Sequence, residues 1–380
     1  MPPVNAPYRP EGLLARPLYA RVDAGAVAHN LARLRSALPA TGAPRLWATV
    51  KADAYGHGLA RVLPALRGAD GLAVLHLDEA RACRRLGWDG PVLVYGGLYS
   101  QADTLLLDTP QLHLVITHAA QLQWLAQAPA AERPAVWLRF AGDIHHTGFC
   151  ADDYRAAFAL ARDLSRRGLI GEVGHLNHYA RADEADGVAL ADARFRDVIA
   201  GLPGPVSTSN SAAMLGHAAL AAATQWVRPG LALYGASPFA ERSAVQLGLL
   251  PAMSLHSQVV GIQRVPAGAG IGYSGAFIAP AAMDVGIVTC GYADGYPRHA
   301  PTGTPVVVAG VRTRLLGRVS MDMMAVDLGP VPQAAIGAPV TLWGAEGLPV
   351  EEVAMAAGSI AAQLLTGLSA RVPVALAGAR

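Results

Sequence analysis

The chain is poor in lysine. Of its 30 Lys and Arg residues one is a lysine, Lys51, so any chemistry that needs a primary side-chain amine has a single place to occur. Cysteine is scarce too. Cys83, Cys150 and Cys290 lie far apart with no CxxC pair, which excludes a disulfide framework and a cysteine zinc site and fits reduced thiols in a cytoplasmic protein. No strong charge of one sign is present. A net charge of +2 gives no electrostatic footing for nucleic acid or a membrane surface. The Ala-rich run Ser211–Ala223 is broken by His217 and too short to span a bilayer. The first 15 residues read as a loose, Pro-rich leader without the apolar segment of a signal peptide. There is no internal repeat.

What is present is apolar material: 52% of the 380 residues, enough for two cores. Arg16–Asp23 alternates like a strand, and Asp23 is placed to cap a helix to about Leu38. Short apolar runs then recur between helical stretches, at Leu46–Val50, Leu72–Leu75, Val92–Tyr95, Leu112–Ile116, Ala135–Phe140, Gly171–His175, Val206–Ser209 and Val227–Tyr234. Eight alternating units predict a parallel (β/α)8 barrel, with its chemistry at the C-terminal strand ends. From about Leu249 the chain turns to Val-, Gly- and Pro-rich segments. The reading is therefore an α/β protein, a barrel domain over 16–248 followed by a mostly β domain over 249–380.

Within this frame one stretch stands out, LWATVKADAYGHG at Leu46–Gly58. Lys51 sits where a buried strand emerges into a loop. Partial desolvation there lowers an ammonium pKa and favours the neutral amine that Schiff-base chemistry needs. An ordinary lysine snorkelling beside a strand end reads the same way. The segment STSNSAAML places Ser207 to Ser211, with Asn210 among them, before a helix, as an anion site or a plain N-cap. WVRPG puts Arg228 at a strand end, with Gly230 allowing close backbone approach. His145, His146, His175 and His178 follow two successive strands, which keeps open a metal-dependent hydrolase or lyase on a barrel. Gly270, Gly272 and Gly275 fit GxGxxG, but no βαβ context surrounds them.

VKADAYGHG resembles the pyridoxal phosphate attachment motif of the alanine racemase family. GYADGYPR and GRVSMDMMAVDLG match further family segments, and the resemblance runs from about Arg16 to about Pro373. It implies a fold-type III pyridoxal 5'-phosphate enzyme that interconverts L- and D-amino acids, alanine first among them, an isomerase acting as a homodimer with composite sites. By that resemblance Lys51 carries the cofactor and Tyr55 bonds its phosphate, together with Ser211, neighbouring Asn210 and the backbone at Gly230 and Leu231. Arg228 faces the pyridine nitrogen, supported by His178. A guanidinium does not give up its proton, so that nitrogen stays unprotonated and the ring is a restrained electron sink, suited to simple proton return. Tyr273 is the second base, reaching into the partner's site. A phenol is ordinarily un-ionised at neutral pH, so such a base needs a cationic neighbour, for which His178 and Arg228 are candidates. Tyr292 and Arg298 fall near the entrance, and Met321 and Asp322 near the substrate carboxylate. A cofactor carrier without activity is a third reading, opposed by the C-terminal motifs.

Two departures bear on the substrate. Where the family reads close to LKLDTGMHRLGF, this chain has LRFAGDIHHTGF. His146 replaces the arginine that binds the substrate carboxylate, and Arg139 replaces a lysine. Ala362 stands for a gating tyrosine. A shorter imidazole holds a carboxylate less firmly than a bidentate guanidinium. The departures predict weak handling of alanine and relatively better turnover of a bulkier amino acid. Whether the role is biosynthesis of D-alanine or its breakdown is not legible.

Overall fold

The structure is a computed structural model that describes residues 16–40, 42–129 and 132–377; the expected leader lies outside them. The chain divides into two compact units, 27–249 and a second that joins the segment up to Ala26 with 250 onward. Strand β1, Tyr19–Val22, is followed by the helix Ala24–Ser36, whose first turn is capped by Asp23 through the Ala26 N–H at 3.1 Å.

The first unit is a closed barrel of eight parallel strands in sequence order: β2 Arg45–Thr49, β3 Gly71–Val74, β4 Val92–Val94, β5 Leu112–Ile116, β6 Ala135–Arg139, β7 Val173–Leu176, β8 Val206–Ser207 and β9 Trp226–Val227. Each of the eight expected strands is there. Their near-continuous apolar runs arise because a parallel strand is covered on both faces. The last is shorter than Val227–Tyr234, because Pro229 offers no N–H to a ladder and Leu231–Tyr234 coils into a 3-10 turn. The Ala-rich run becomes two short helices, Ser211–Gly216 and Ala218–Ala222. Trp47, Ala73, Leu93, Val115, Trp137, Leu176 and Trp226 meet in one buried cluster that plugs the barrel interior. Strand side chains alternate faces, so the residue two places further along each strand points inward again, one layer nearer the C-terminal mouth. Within the strands those residues are Thr49 and Arg139; Tyr95, His178 and Arg228 follow just past the ends of β4, β7 and β9.

The second unit is built on a mixed eight-stranded sheet. Its strands are β1, β10 Met253–Val265, β13 Met283–Val288, β14 Pro305–Val308, β15 Val311–Leu316, β16 Met324–Asp327, β17 Pro339–Trp343 and β18 Val374–Leu376; a small hairpin pairs β11 Gly270–Ile271 with β12 Phe277–Ile278. The strand at Arg16–Asp23 was expected to open the barrel domain. It belongs here instead, antiparallel to β10 (Tyr19 opposite His256) and parallel to β18 (Ala20 opposite Val374). The alternation that marks a strand carries no information about its partner.

Candidate active site

Lys51 leaves the end of β2 and enters an unusual turn. Ala52, Asp53, Ala54 and Tyr55 have φ of 54°, 52°, 56° and 51°, a left-handed coil of four non-glycine residues. Each costs roughly 1–2 kcal/mol relative to right-handed backbone, so the surroundings must hold it. They do so with directed bonds. The Ala54 N–H donates to the Val50 carbonyl at 2.8 Å and the Gly56 N–H to that of Ala52 at 2.9 Å. Glu79 accepts from the Ala52 N–H at 2.9 Å, and Asp53 from the Leu59 N–H at 2.7 Å. His57, fully buried, bonds the carbonyls of Ala54 and Tyr55 through Nδ1 at 3.0 Å each and stacks on Tyr234. Strain of this kind concentrates at functional sites.

The turn sets two side chains. Lys51 Nζ lies 5.8 Å from the centre of the Tyr95 ring. Its pKa is lowered, chiefly by burial; the Glu79 charge opposes this and that of Arg139 adds to it. Tyr55 is carried towards β9. A Cβ added at Gly230 would lie 2.5 Å from the Tyr55 hydroxyl, so only glycine leaves that approach open. On the other side of Gly230, the Ser211 hydroxyl accepts from the Gly230 N–H at 2.9 Å and the Ala232 N–H at 3.3 Å. Tyr55, Ser211, Gly230 and the adjoining Leu231 thus form one cradle of hydroxyl and amide groups. Asn210 is the N-cap of the helix behind it, its Oδ1 accepting from the Ala213 N–H at 2.9 Å.

Deeper in the mouth Arg228 is almost fully buried. It donates to Ser207 Oγ at 2.7 Å and to the carbonyls of Asn177 at 2.7 Å and Thr208 at 3.3 Å. The expected support from His178 is not how it is held; the nearest polar contacts of His178 run to Asn210, at 3.5 Å. Burial, followed by the charges of Arg228, Arg139, Lys51 and His146, pushes the His178 pKa down to about 3. His178 is therefore neutral at ordinary pH and cannot be the cationic neighbour suggested for a tyrosine base. His175 is turned the opposite way, bonded to Tyr154 at 3.0 Å and stacked on Phe158, so the four histidines do not converge. Among the described residues no group of three His, Cys, Asp or Glu side chains is arranged to hold a metal.

The remaining expected residues lie in the second unit. Tyr273 opens a 3-10 turn between β11 and β12 and is 68% exposed. Tyr292 and Met321 are exposed, as are Asp322 and Arg298. The turn Tyr292–Asp294 is docked on the loop 320–323, with the Tyr292 N–H donating to the Ser320 carbonyl and the Ala293 N–H to that of Met321, both at 3.0 Å. A Cβ at Gly291 would lie 2.3 Å from the Met321 oxygen, so glycine is required there. Below them Asp294, wholly buried, accepts from Arg16 at 2.7 and 2.6 Å and from Arg371 and the Gly291 N–H at 2.6 and 2.8 Å. Arg371 also pairs with Asp322, and Arg16 with the Asp322 carbonyl at 2.9 Å. Ala362 lies in the helix Ala361–Thr366.

Sequence reasoning did not find Tyr95, which lies beside Lys51 and Arg228 and bonds Thr49 at 3.1 Å. The inward parity of β4 was its available signal. Glu79 and the Arg16–Asp294–Arg371 cluster were missed as well, since nothing local links residues so far apart.

The barrel mouth suits an anionic group bearing a phosphate. Lys51, Arg139 and Arg228 bring three cationic side chains to it, and of the charges acting on Lys51 only that of Glu79 is negative. The buried hydroxyls of Thr208 and Ser209 have no protein partner.

Comparison with known proteins agrees through both units. The description "Alanine racemase, N-terminal domain" matches residues 22–238, and "Alanine racemase, C-terminal domain" matches 252–376. An alanine racemase of Bordetella petrii is 50% identical over 372 residues, 95% of this chain and 99% of that one. One of Bordetella avium is 48% identical over 370 residues, again 95% and 99%. The crystal structure of the biosynthetic alanine racemase of Pseudomonas aeruginosa superposes with a TM-score of 0.87 at 40% identity, covering 95% of this chain and 99% of that one. Matched through both units, by sequence and by fold, the chain belongs to the alanine racemase family.

Proposed function

We propose that the protein interconverts L- and D-alanine by proton exchange at Cα, using pyridoxal 5'-phosphate held at the barrel mouth. The observation that carries this is Lys51, the one lysine of the chain, biased towards the neutral amine on the turn that carries Tyr55 to Ser211 and Gly230. When bound, the cofactor supplies an electron sink that acidifies the Cα–H. Lys51 Nζ anchors it and, once free, carries a proton to or from one side of Cα. Tyr55, Asn210, Ser211 and the backbone of Gly230 and Leu231 take the phosphate, and Arg228 and His178 face the ring.

The opposite side of Cα needs a second base. Tyr273, exposed on its turn, is suited to serve a neighbouring subunit, which makes the working form a homodimer. Tyr292, Met321 and Asp322 of the same subunit would line the substrate's approach. The scattered free thiols fit a cytoplasmic enzyme, and among the described residues no helix is long and apolar enough to cross a membrane. A bulkier amino acid is the second reading, favoured by the exposed His146 on the loop after β6.

The test is D/L interconversion across a panel of amino acids, with deuterium uptake at Cα, alongside the visible band of lysine-bound cofactor. Alanine should turn over and exchange deuterium, and borohydride should fix the cofactor on the peptide containing Lys51. Lys51→Ala should lose both band and turnover. An unmodified Lys51 peptide would sink the reading.

A further inference from the structure

Position 146 carries an imidazole in place of a guanidinium fork. His146 is exposed, on a loop closed by the pairing of Phe140 with Phe149 and tied to the chain after β7 by Asp143, which accepts from the Ala180 N–H at 3.3 Å. Seven residues earlier, at the end of β6, another guanidinium does point into the barrel. Arg139 lies two places after Trp137, whose indole packs in the buried plug, and so shares its inward face. Its Nε is buried and has no hydrogen-bond partner, and among the described residues no carboxylate pairs with it.

An uncompensated guanidinium in such a place is costly unless an anion completes it. The charges around it sharpen the point. Burial, then the charge of Arg228, lowers its pKa, with Tyr95 acting in the other direction. Arg228 already has three bonds to Ser207, Asn177 and Thr208. The cradle around Gly230 has its own donors. Arg139, by contrast, has no partner for its Nε.

We infer that Arg139, at the end of β6, receives the substrate carboxylate in this protein. The inference rests on the proposed use of the barrel mouth as the amino-acid site. It also counters the reason to expect poor handling of alanine, since a planar guanidinium fork with parallel N–H groups matches a carboxylate.

The test uses the cofactor-loaded enzyme, with propionate, a carboxylate without an amine, titrated by calorimetry. Alaninamide, an amine without a carboxylate, is followed by its effect on the cofactor absorbance. Arg139→Gln should weaken propionate binding by about 10- to 100-fold, the scale of a charged hydrogen-bonded pair. It should raise the alanine KM more than it lowers kcat, and alter alaninamide binding much less. Arg139→Lys, which keeps the charge and loses the fork, should fall between the two, and it serves as the variant if Arg139→Gln does not hold its cofactor. Unchanged propionate binding, or equal losses for propionate and alaninamide, would overturn the assignment. A wild type that never develops the cofactor band sinks the proposed function instead, so the two failures are distinguishable.

Discussion

Changing Asp294 to asparagine replaces one carboxylate oxygen by an NH2 group and removes a buried charge. The carboxylate is fully enclosed and accepts four bonds, two from Arg16, one from Arg371 and one from the Gly291 N–H. An asparagine of the same shape would turn an NH2 group towards donors, leaving Arg16 without its carboxylate and Arg371 with Asp322 alone. Breaking a buried pair costs about 3–5 kcal/mol; because both arginines are partly solvated, about 2–4 kcal/mol is the better expectation. That corresponds to a fall of roughly 5–15 °C in the melting temperature of the second unit. The effect should depend on pH. Burial pushes the Asp294 carboxyl up, but the bonds from Arg16, Arg371 and Gly291 outweigh it and leave it below the ordinary value. A depressed carboxylate stabilises fully above the unfolded value, near ~4, and loses that contribution as pH falls through the folded value. Asp294→Asn should therefore lose most of its penalty in strong acid. Asp284→Asn is the control. Its partner Arg264 and the aspartate itself are 64% and 49% exposed, and such pairs contribute only ~0–1 kcal/mol. Thermal unfolding followed by circular dichroism at pH 7 and below pH 4 decides. A penalty no larger than that of the control, or one independent of pH, would refute the reasoning.

A mixed dimer of Lys51→Ala and Tyr273→Phe chains should regain one working site; two inactive parents that stay inactive despite demonstrated subunit exchange would place both bases in one chain. Gly230→Ala should weaken pyridoxal 5'-phosphate binding at least about 10-fold, because its Cβ would meet the Tyr55 hydroxyl at 2.5 Å; an unaltered dissociation constant would show the cradle is elsewhere. His57, His113 and His256 are each held down to about 4, first by burial. Between roughly pH 6.5 and 4 the unfolded chain binds more protons than the folded one, so stability should fall as pH is lowered through that window. A urea midpoint unchanged between pH 7 and pH 5 would contradict it.

The barrel was legible because each of its strands is a short apolar run covered on both faces. Lys51, Tyr55, Ser211 and Gly230 were legible as motifs, and the structure brings Tyr55 and Ser211 to Gly230. The left-handed coil was not. Ala52 to Tyr55 contain no glycine, and local propensity favours the right-handed form; bonds from Glu79 and His57 decide otherwise. The partner of β1, the role of Tyr95 and the cluster at Asp294 depend on contacts across long stretches of chain, which periodicity does not encode.

The pairing of β1 with both β10 and β18 has a consequence for biosynthesis. The strand is made first, yet its antiparallel partner begins at Met253 and its parallel partner ends at Leu376. The barrel, by contrast, draws all eight strands from a contiguous stretch. On a ribosome it can close while β1 waits with its backbone groups bonded only to water. The sheet is completed only after β18 has emerged. That long wait leaves an unpaired strand edge open to other nascent chains. Pausing or truncation late in translation should thus yield a formed barrel carrying a sticky amino-terminal strand, the species for which a chaperone would matter most.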